Sequence, residues 1–423
     1  MALDPSRIRD EFPALRSGDV FFDNPGGTQV PHQVIERMTD YLAAKNANRG
    51  GAFATSEATD EVIEDARQAV ADFLGAARAE EIVFGPNMTT LTFALSRSLA
   101  RELQPGDEIV VTRLDHDANI APWLRIAEER NCTVRWVDFD VEDCTLRLDQ
   151  LEAALGKRTR LVAVGYASNA VGTINPVDRI VSLAHEAGAL CLVDAVQYAP
   201  HGPIDVQALG CDFLVVSAYK WFGPHLGMLY GRQEHLERLT AYKVRPASDQ
   251  PPGKWETGTQ NHEGIAGALG ALEYLGWLGE TYGGEYGERY GGEARGRRLH
   301  LKQAMHAVRA YELGLSRAAI DALAEVQGLR VWGITDERMI DRRVPTVSFT
   351  LEGHTPRQVA EALGDRGIYV WDGNYYALAV TERLGLEASG GMVRVGMAHY
   401  NLVGEIERLA DEIRKIVAAG SGR

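Results

Sequence analysis

Short apolar runs alternate with amphipathic segments between about residues 60 and 230. This alternation predicts strands connected by helices, and therefore an α/β fold with a mostly parallel sheet covered by helices on both faces. Apolar residues recur at helical spacing in Glu61–Phe73 and Val177–Ala187. The seven predicted strands are Ile82–Phe84, Glu108–Thr112, Val134–Val137, Leu161–Gly165, Leu190–Val193, Phe213–Val216 and Gly227–Tyr230.

The pattern changes in residues 276–298, which are rich in glycine and polar side chains. Glycine weakens a helix, so this segment is predicted to connect a large domain of residues 21–275 to a smaller α+β domain of residues 299–423. Residues 1–20 are expected to pack with the smaller domain. In that domain, helices are predicted at Leu299–Tyr311, Ser316–Ala324 and Arg357–Leu363, and strands at Thr346–Thr350 and Met392–Gly396.

The composition is that of a globular chain with a sizeable core. Of 423 residues, 45% are hydrophobic and 24% are charged. A formal net charge of −15 argues against a nucleic-acid or anionic-membrane surface, so the expected partners are small molecules. The N-terminus lacks a basic and then apolar signal pattern, and no apolar run approaches the roughly 20 residues of a membrane span. A cytoplasmic location is therefore expected.

The four cysteines, Cys132, Cys144, Cys191 and Cys211, show neither CxxC nor metal-ligand spacing. Cys191 and Cys211 lie in or beside apolar strands, where a buried and inert thiol is the usual finding. We therefore expect a reducing compartment and no metal site.

Lys220 and Asp194 follow neighbouring predicted strands, whose carboxyl ends lie at one edge of a parallel sheet. An amine and a carboxylate at this edge are the pair that a pyridoxal phosphate enzyme needs. The lysine binds the cofactor covalently, and the carboxylate keeps the pyridine nitrogen protonated so that the ring accepts carbanion electrons. The pair predicts pyridoxal 5′-phosphate as the cofactor, with Gln197 just beyond the acid.

His116 lies in the loop Asp115–Trp123, after the strand that ends at Thr112. Its ring can therefore lie over a flat cofactor at the same sheet edge. An imidazole at that place can also relay protons to a leaving group. The alternative is a solvated loop histidine.

The segment Gly85–Thr90 joins a strand to a helix that is predicted to begin near Leu91. The amides of a helix N-terminus and two threonine hydroxyls suit a phosphate dianion. A simple N-cap by Thr89 or Thr90 needs the same geometry, so the two interpretations are compatible.

Three further segments carry polar side chains of interest. Asn169, in Ala167–Thr173, can contact the ring hydroxyl or a substrate carboxylate, although alone it is typical of a loop turn. Trp255–Gln260 is rich in hydroxyls and can add a phosphate donor. Arg394 lies inside an apolar strand, where a guanidinium needs a bidentate carboxylate partner; a substrate α-carboxylate and a structural salt bridge are the candidates.

Together these segments resemble the class-V aminotransferases of the cysteine desulfurase and selenocysteine lyase type, which have the fold-type I architecture of pyridoxal phosphate-dependent transferases. The resemblance runs from Phe22–Gly27 almost to the C-terminus, where Arg394–Asn401 matches the segment with the substrate-binding arginine. The resemblance implies that Lys220 binds the cofactor covalently and that Asp194 pairs with the pyridine nitrogen. Gln197 and Asn169 would contact the ring oxygen, and His116 would stack on the ring. The phosphate side would be formed by Met88, Thr89, Ser217 and Tyr219, together with Thr259 of the partner subunit. Arg394, Asn169 and Asn24 would then bind the substrate.

The chain departs from the family at two places. Tyr219 stands before the lysine where the family usually has histidine, so one phosphate-side contact changes character. Desulfurases carry a mobile cysteine loop before the arginine strand, whereas Gly367–Ala377 contains Tyr375 and Tyr376 and no cysteine. The chain is most similar to the branch that lacks this cysteine and is close to isopenicillin N epimerase-like proteins. The two tyrosines either line a pocket for a substituent on sulfur or pack as ordinary core residues.

Three functions follow from this pattern. The first is a pyridoxal phosphate enzyme that acts on an L-amino acid as a C–S lyase, by β-elimination from a cysteine S-conjugate, with Lys220 as the base and His116 as a candidate acid. The second is epimerisation or transamination, in which the same carbanion is reprotonated elsewhere. The third is a non-catalytic scaffold, which an intact set of site residues disfavours. The resemblance also implies a homodimer with shared active sites, in which Asn48–Gly51 contributes across the boundary.

Overall fold

The structure is a computed structural model that describes residues 3–290, 292 and 294–420. The helices are α1 Pro5–Asp10, α2 His32–Asp40, α3 Ala54–Leu74, α4 Met88–Ala100, α5 Ala121–Arg130, α6 Leu148–Ala154, α7 Val177–Glu186, α8 Val206–Leu209, α9 Gln233–Arg238, α10 His262–Tyr282, α11 Gly296–Ala324, α12 Pro356–Gly364, α13 Leu378–Arg383 and α14 Val403–Gly420. The strands are β1 Val20–Phe21, β2 Ile82–Gly85, β3 Glu108–Thr112, β4 Thr133–Val137, β5 Thr159–Gly165, β6 Leu190–Asp194, β7 Phe213–Ser217, β8 Gly227–Gly231, β9 Leu329–Trp332, β10 Thr346–Leu351, β11 Ile368–Tyr369, β12 Trp371–Gly373 and β13 Met392–Gly396.

The seven predicted strands form one sheet in the order β2-β8-β7-β6-β5-β3-β4. Strand β8 runs antiparallel to both of its neighbours, and the other paired strands are parallel. Alternate residues of β6 pack on opposite faces, because Cys191 and Val193 belong to one apolar cluster and Leu192 to the other. The predicted α/β class with a seven-stranded, mostly parallel sheet is confirmed.

The strand register brings the candidate site residues to one edge of this sheet. Asp194 ends β6 and pairs in register with Val215 of β7, two residues before Ser217. On its other side Asp194 pairs with Gly165, the last residue of β5. Carboxyl ends of parallel strands are where ligands gather in such sheets.

A smaller α+β unit follows the large sheet. Its four-stranded antiparallel sheet has the order β12-β13-β10-β9, and β1 pairs with β11 in a separate parallel pair. Helices α11 and α14 pack together against this unit. The observed β13 coincides with the predicted strand, and β10 and α12 extend the predicted elements by one or two residues.

The helices around the glycine-rich segment correct the sequence-based prediction. The two helices predicted at Leu299–Tyr311 and Ser316–Ala324 are one helix, α11, and α10 continues to Tyr282 inside the glycine-rich segment. The reason is packing between α10 and α11: a Cβ on Gly279 would lie 1.9 Å from the carbonyl oxygen of His300. Glycine here allows two helices to approach closely instead of ending one of them.

The N-terminal segment contacts both parts of the chain. Phe12 packs edge-on against Phe222 and Tyr274 and also contacts the ring of Tyr400, 4.8 Å away. Division of the chain into residues 1–20, 21–275, 276–298 and 299–423 stays a proposal. Among the described residues, no helix is long and apolar enough to cross a membrane.

Candidate active site

A cavity opens at the carboxyl edge of the large sheet. Strand ends, the N-terminus of α4 and the loop after β3 form its walls. The cavity is lined by Asn87, Met88, Thr89, Asp115, His116, Gly165, Ala167, Asn169, Asp194, Val196, Gln197, Ser217, Tyr219 and Lys220. Every cofactor residue predicted from the sequence, except Thr259, is in this set.

Lys220 and Asp194 are both buried in the cavity. Lys220 ends the 3-10 turn Ala218–Lys220, which directly follows β7, and its Nζ atom donates to Oε1 of Gln197 at 3.4 Å. Burial, followed by the charge of Arg394, lowers the pKa of Lys220 to about 7. Burial raises the pKa of Asp194 to about 6. Both groups change protonation near neutral pH, as groups that exchange protons with a ligand do.

His116 lies at the cavity wall beside the loop that contains Tyr376. Its Nδ1 atom accepts a hydrogen bond from the backbone N–H of Ala118 at 3.0 Å, which places the ring proton on Nε2. Burial, and then the charges of Lys220 and Arg394, lower the pKa of His116 to about 3. The imidazole is therefore neutral, which suits stacking and hydrogen-bond donation better than the predicted delivery of a proton.

The N-terminus of α4 forms the end of the cavity expected to hold a phosphate. The helix begins at Met88, three residues before the predicted start, because the Asn87 side chain caps it by accepting from the backbone N–H of Thr90 at 2.8 Å. The N-cap is therefore neither of the two predicted threonines. Ser217 Oγ accepts from the backbone N–H of Met88 at 3.2 Å, and this contact ties the strand end to the helix.

Close backbone packing fixes the position of this helix end. A Cβ on Gly227 would lie 2.2 Å from the carbonyl carbon of Asn87. The hydroxyl of Thr89, which also lines the cavity, contacts Met88 Sδ at 3.4 Å. Amides and hydroxyls at a helix N-terminus are suitable donors for a phosphate dianion.

Asn169 and Gln197 present amide groups to the cavity. Asn169 donates from Nδ2 to the backbone carbonyl of Tyr375 at 2.9 Å. Its Oδ1 atom is buried and accepts no hydrogen bond from any residue that the structure describes. Gln197 donates from Nε2 to Thr346 Oγ1 at 3.1 Å, which directs its Oε1 atom towards Lys220.

Arg394 is buried in β13; burial lowers its pKa to about 10, and the charges of Tyr375 and Asp23 oppose that shift. No carboxylate in residues 3–290, 292 or 294–420 lies within 4 Å of its guanidinium nitrogens, so the alternative of a structural salt bridge is not seen. Nη1 donates to the backbone carbonyl of Asn169 at 3.0 Å, and Nε has no acceptor among the described residues. A buried guanidinium with free donors suits a carboxylate from a ligand.

Asn24 and Thr259 are not brought to the cavity by this chain. Asn24 Nδ2 donates to the backbone carbonyls of Phe21 and Gly396, and its Oδ1 atom accepts from the hydroxyl of Tyr400. These contacts occupy the amide that was expected to bind substrate. Thr259 lies in an exposed turn, so a role for it depends on a second subunit.

Asp115 is a cavity residue that sequence reasoning passed over. Oδ1 accepts from Thr112 Oγ1 at 3.0 Å and from the backbone N–H of Gly165 at 2.8 Å, and Oδ2 accepts from Asn119 Nδ2 at 2.9 Å. Burial, and the nearby charge of Asp194, raise the pKa of Asp115 to about 7. The signal available in the sequence was that Asp115 directly precedes His116. The contacts indicate that Asp115 fastens the histidine loop to β5.

The four cysteines lie away from the cavity lining. Cys144, Cys191 and Cys211 are buried, and Cys132 is half-buried. Burial raises the pKa of Cys144 and of Cys211 to about 12, and it also raises the pKa of Cys191 and of Cys132. No group of three or more potential ligands in the described part of the chain could hold a metal ion.

The residues present fit pyridoxal phosphate. The orphaned Oδ1 of Asn169, the buried amine of Lys220 and the buried carboxylate of Asp194 face one cavity that ends at a helix N-terminus. A ring with a basic nitrogen, a hydroxyl and a phosphate matches these groups.

A lysine and an aspartate buried together at the carboxyl edge of a mostly parallel sheet, with a smaller α+β unit beside it, define a fold-type I pyridoxal phosphate-dependent enzyme. The family model described as Aminotransferase class-V matches residues 20–285 and 293–409. The chain belongs to the class-V aminotransferase family, which confirms the predicted family and cofactor.

Similar proteins include several cysteine desulfurases. The probable cysteine desulfurase of Mycolicibacterium paratuberculosis is 36% identical over 99% of this chain and 59% of that protein. The aminotransferase-like protein FGM3 of Gibberella zeae is 34% identical over 95% of this chain and 96% of that protein. The apo structure of a cysteine desulfurase from Thermococcus onnurineus has a TM-score of 0.85 at 28% identity, covering 99% of this chain and all of that one. The chain spans 59 to 66% of the length of the first curated relatives it matches.

Proposed function

We propose that this enzyme catalyses β-elimination from a cysteine S-conjugate, which yields a thiol, pyruvate and ammonia. The observation that carries the proposal is the loop beside His116, where Tyr376 stacks on the imidazole and no cysteine lines the cavity. Transfer of sulfur to the protein needs a thiolate next to the substrate sulfur. Without that thiolate, the sulfur leaves together with its own substituent.

The cavity residues would hold the cofactor in one orientation. Lys220 would bind it covalently, Asp194 would pair with the ring nitrogen, and His116 would cover the ring. Thr89 and Ser217 would bind the phosphate with the N-terminus of α4, and Gln197 and Asn169 would contact the ring oxygen. Pyridoxal phosphate, when bound, supplies the electron sink for the α-carbon of the substrate.

Arg394 would bind the substrate carboxylate. Its guanidinium has unused donors and no carboxylate partner among the described residues, and it lies next to the cavity through its contact with Asn169. A planar guanidinium fixes a carboxylate in two directions at once, which orients the α-hydrogen of the substrate.

Lys220 would take and return the proton of the reaction. Its lowered pKa of about 7 leaves a substantial fraction of the free amine unprotonated at neutral pH. The α C–H bond breaks with its proton on Nζ, and the Cβ–Sγ bond then breaks with its electron pair on sulfur. The ammonium of Lys220 returns the proton to the thiolate, while His116 donates a hydrogen bond from Nε2. Released 2-aminoacrylate reacts with water to give pyruvate and ammonium, without an oxidant.

The names of the relatives favour a second candidate, in which free cysteine is the substrate and alanine the product, with the sulfur left as a persulfide on an acceptor thiol. Epimerisation and transamination share the proton abstraction by Lys220 and differ in where the proton returns. The four outcomes are separated by their products.

The experiment incubates the purified holoenzyme with L-cysteine, S-methyl-L-cysteine, S-benzyl-L-cysteine and L-alanine. Pyruvate, thiol, sulfide, alanine and the D/L ratio are measured, with and without an added keto acid as amino-group acceptor. Equal amounts of thiol and pyruvate from the S-conjugates are expected, with Lys220→Ala as the inactive control. Alanine from L-cysteine without pyruvate would support desulfuration, D-alanine from L-alanine would support epimerisation, and a new amino acid formed only with the keto acid would support transamination.

A homodimer with shared sites is part of the proposal. Thr259 is exposed, and the exposed apolar side chains Ile35, Leu42 and Phe53 lie on the segments around α2 and α3. Within the chain, Arg49 is paired with Asp60 and Glu64. Light scattering should give a dimer; a fully active monomer would refute the sharing of active sites.

Four free thiols support a cytoplasmic location as a further proposal.

A further inference from the structure

Tyr375 and Tyr376 are adjacent in sequence and have opposite environments. Tyr375 is 6% exposed; its hydroxyl donates to the backbone carbonyl of Met392, and its ring lies under the guanidinium of Arg394. Tyr376 is 76% exposed, and its ring stacks on that of His116, with the centroids 5.8 Å apart and the planes at 27°. Packing therefore explains Tyr375 and leaves Tyr376 unexplained.

The position of Tyr376 is fixed by its backbone. Its carbonyl accepts from the backbone N–H of Asp117 at 2.7 Å, and the carbonyl of Tyr375 accepts from Asn169 Nδ2 at 2.9 Å. Both tyrosines have positive φ angles, 57° and 58°, in a region that bulky side chains rarely adopt. Such a conformation persists where surrounding contacts hold it, and it often occurs at ligand sites.

The substrate expected under the proposed function runs along this loop. Its carboxylate binds Arg394, which lies against Tyr375, and its α-carbon is next to Lys220. The side chain of the substrate then has His116 beside it, and the next surface outwards is the ring of Tyr376. Tyr376 does not itself line the cavity, but it contacts His116, which does, and an exposed aromatic ring at that place offers a flat apolar face to a substituent that extends outwards.

We propose that Tyr376 determines substrate specificity by forming the outer wall against which an apolar or aromatic S-substituent packs. This inference rests on the proposed function and names its substrate class: conjugates such as S-benzyl-L-cysteine, in preference to S-methyl-L-cysteine and free cysteine. The contact needs the ring and not the hydroxyl.

Binding without turnover tests the wall directly. Norvaline and 2-amino-5-phenylpentanoate carry CH₂ in place of the sulfur of S-methyl- and S-benzyl-cysteine and have no leaving group. Calorimetric titration of the holoenzyme should show tighter binding of the phenyl compound. Tyr376→Ala should reduce this preference roughly threefold to tenfold, and Tyr376→Phe should keep it. Tyr369→Ala removes a partly exposed ring that packs on Phe21 instead of on His116, and it should leave the preference unchanged.

The kinetic arm compares kcat/KM for S-benzyl- and S-methyl-L-cysteine in the same four proteins. A matching fall in the ratio for Tyr376→Ala supports the inference. An unchanged ratio overturns it, and an equal loss for both substrates also overturns it, because Tyr376 would then act only by holding His116. If no S-conjugate is cleaved while the binding preference still depends on Tyr376, the proposed function is wrong, but the role of Tyr376 in binding the substituent is supported.

Discussion

The guanidinium of Arg394 lies over the ring of Tyr375, with Cζ 4.3 Å from the ring centroid. Tyr375 holds the arginine from one side, and the carbonyl of Asn169 holds Nη1 from another. The remaining donors are left for a ligand. An aromatic face stabilises a desolvated cation without using its hydrogen bonds, as a carboxylate-binding arginine requires.

Tyr375→Ala should therefore raise KM about tenfold for every amino-acid substrate, with a smaller effect on kcat, because the arginine loses its support. Tyr375→Phe keeps the ring and loses the hydroxyl, which contacts the backbone carbonyl of Met392 and the side chain of Ser348, so its KM should stay near that of the wild type. Steady-state kinetics with a short and a bulky substrate checks this. An effect limited to bulky substrates would assign the specificity role to Tyr375 instead.

Asp194→Asn should slow turnover on the order of 10²-fold or more while cofactor binding is retained. The amide cannot keep the ring nitrogen protonated, and the substrate carbanion then loses its electron sink. Cofactor content and single-turnover rates are the measurements. Unchanged turnover in a variant with full cofactor content would mean that another acid, such as the neighbouring Asp115, protonates the ring.

The stability of the apoprotein should depend on pH through Lys220. Its pKa is about 7 in the folded chain and 10.5 in the unfolded chain, so between these values the unfolded chain binds the extra proton and the free energy of unfolding rises with pH. Lys220→Met should be more stable than the wild type below pH 7, on the order of 4 kcal/mol, and the difference should narrow as the pH rises to 10.5.

Urea unfolding of both apoproteins at pH 6, 8 and 9.5 measures this difference. Lys157→Met, at an exposed position, is the matched control and should show no such narrowing. A difference between wild type and Lys220→Met that stays constant with pH would show that the amine is solvated in the apoprotein.

Replacement of Cys132, Cys144, Cys191 and Cys211 together by alanine should leave kcat unchanged in the folded protein. None of these thiols lines the cavity, and burial keeps them protonated. Circular dichroism and cofactor content establish that the variant is folded and loaded. Loss of activity in that variant, or a persulfide found on any wild-type cysteine by mass spectrometry, would indicate sulfur transfer to the protein.

The sequence by itself determined the large sheet and the edge of it at which the site residues lie. Apolar runs at the spacing of a βα alternation predict the seven strands, because the inner strands of such a sheet are buried on both faces. Residues at strand ends follow from the same pattern, so Asp194, Ser217 and Lys220 were placed correctly at one edge.

Only the tertiary structure decided features that depend on contacts between distant segments. The continuation of α10 to Tyr282 follows from its packing on α11 across Gly279, and the internal role of Asn24 follows from its contacts with Gly396 and Tyr400. The neutral state of His116 and the opposite exposures of Tyr375 and Tyr376 depend on burial, which arises from the whole fold and has no local signature in the sequence.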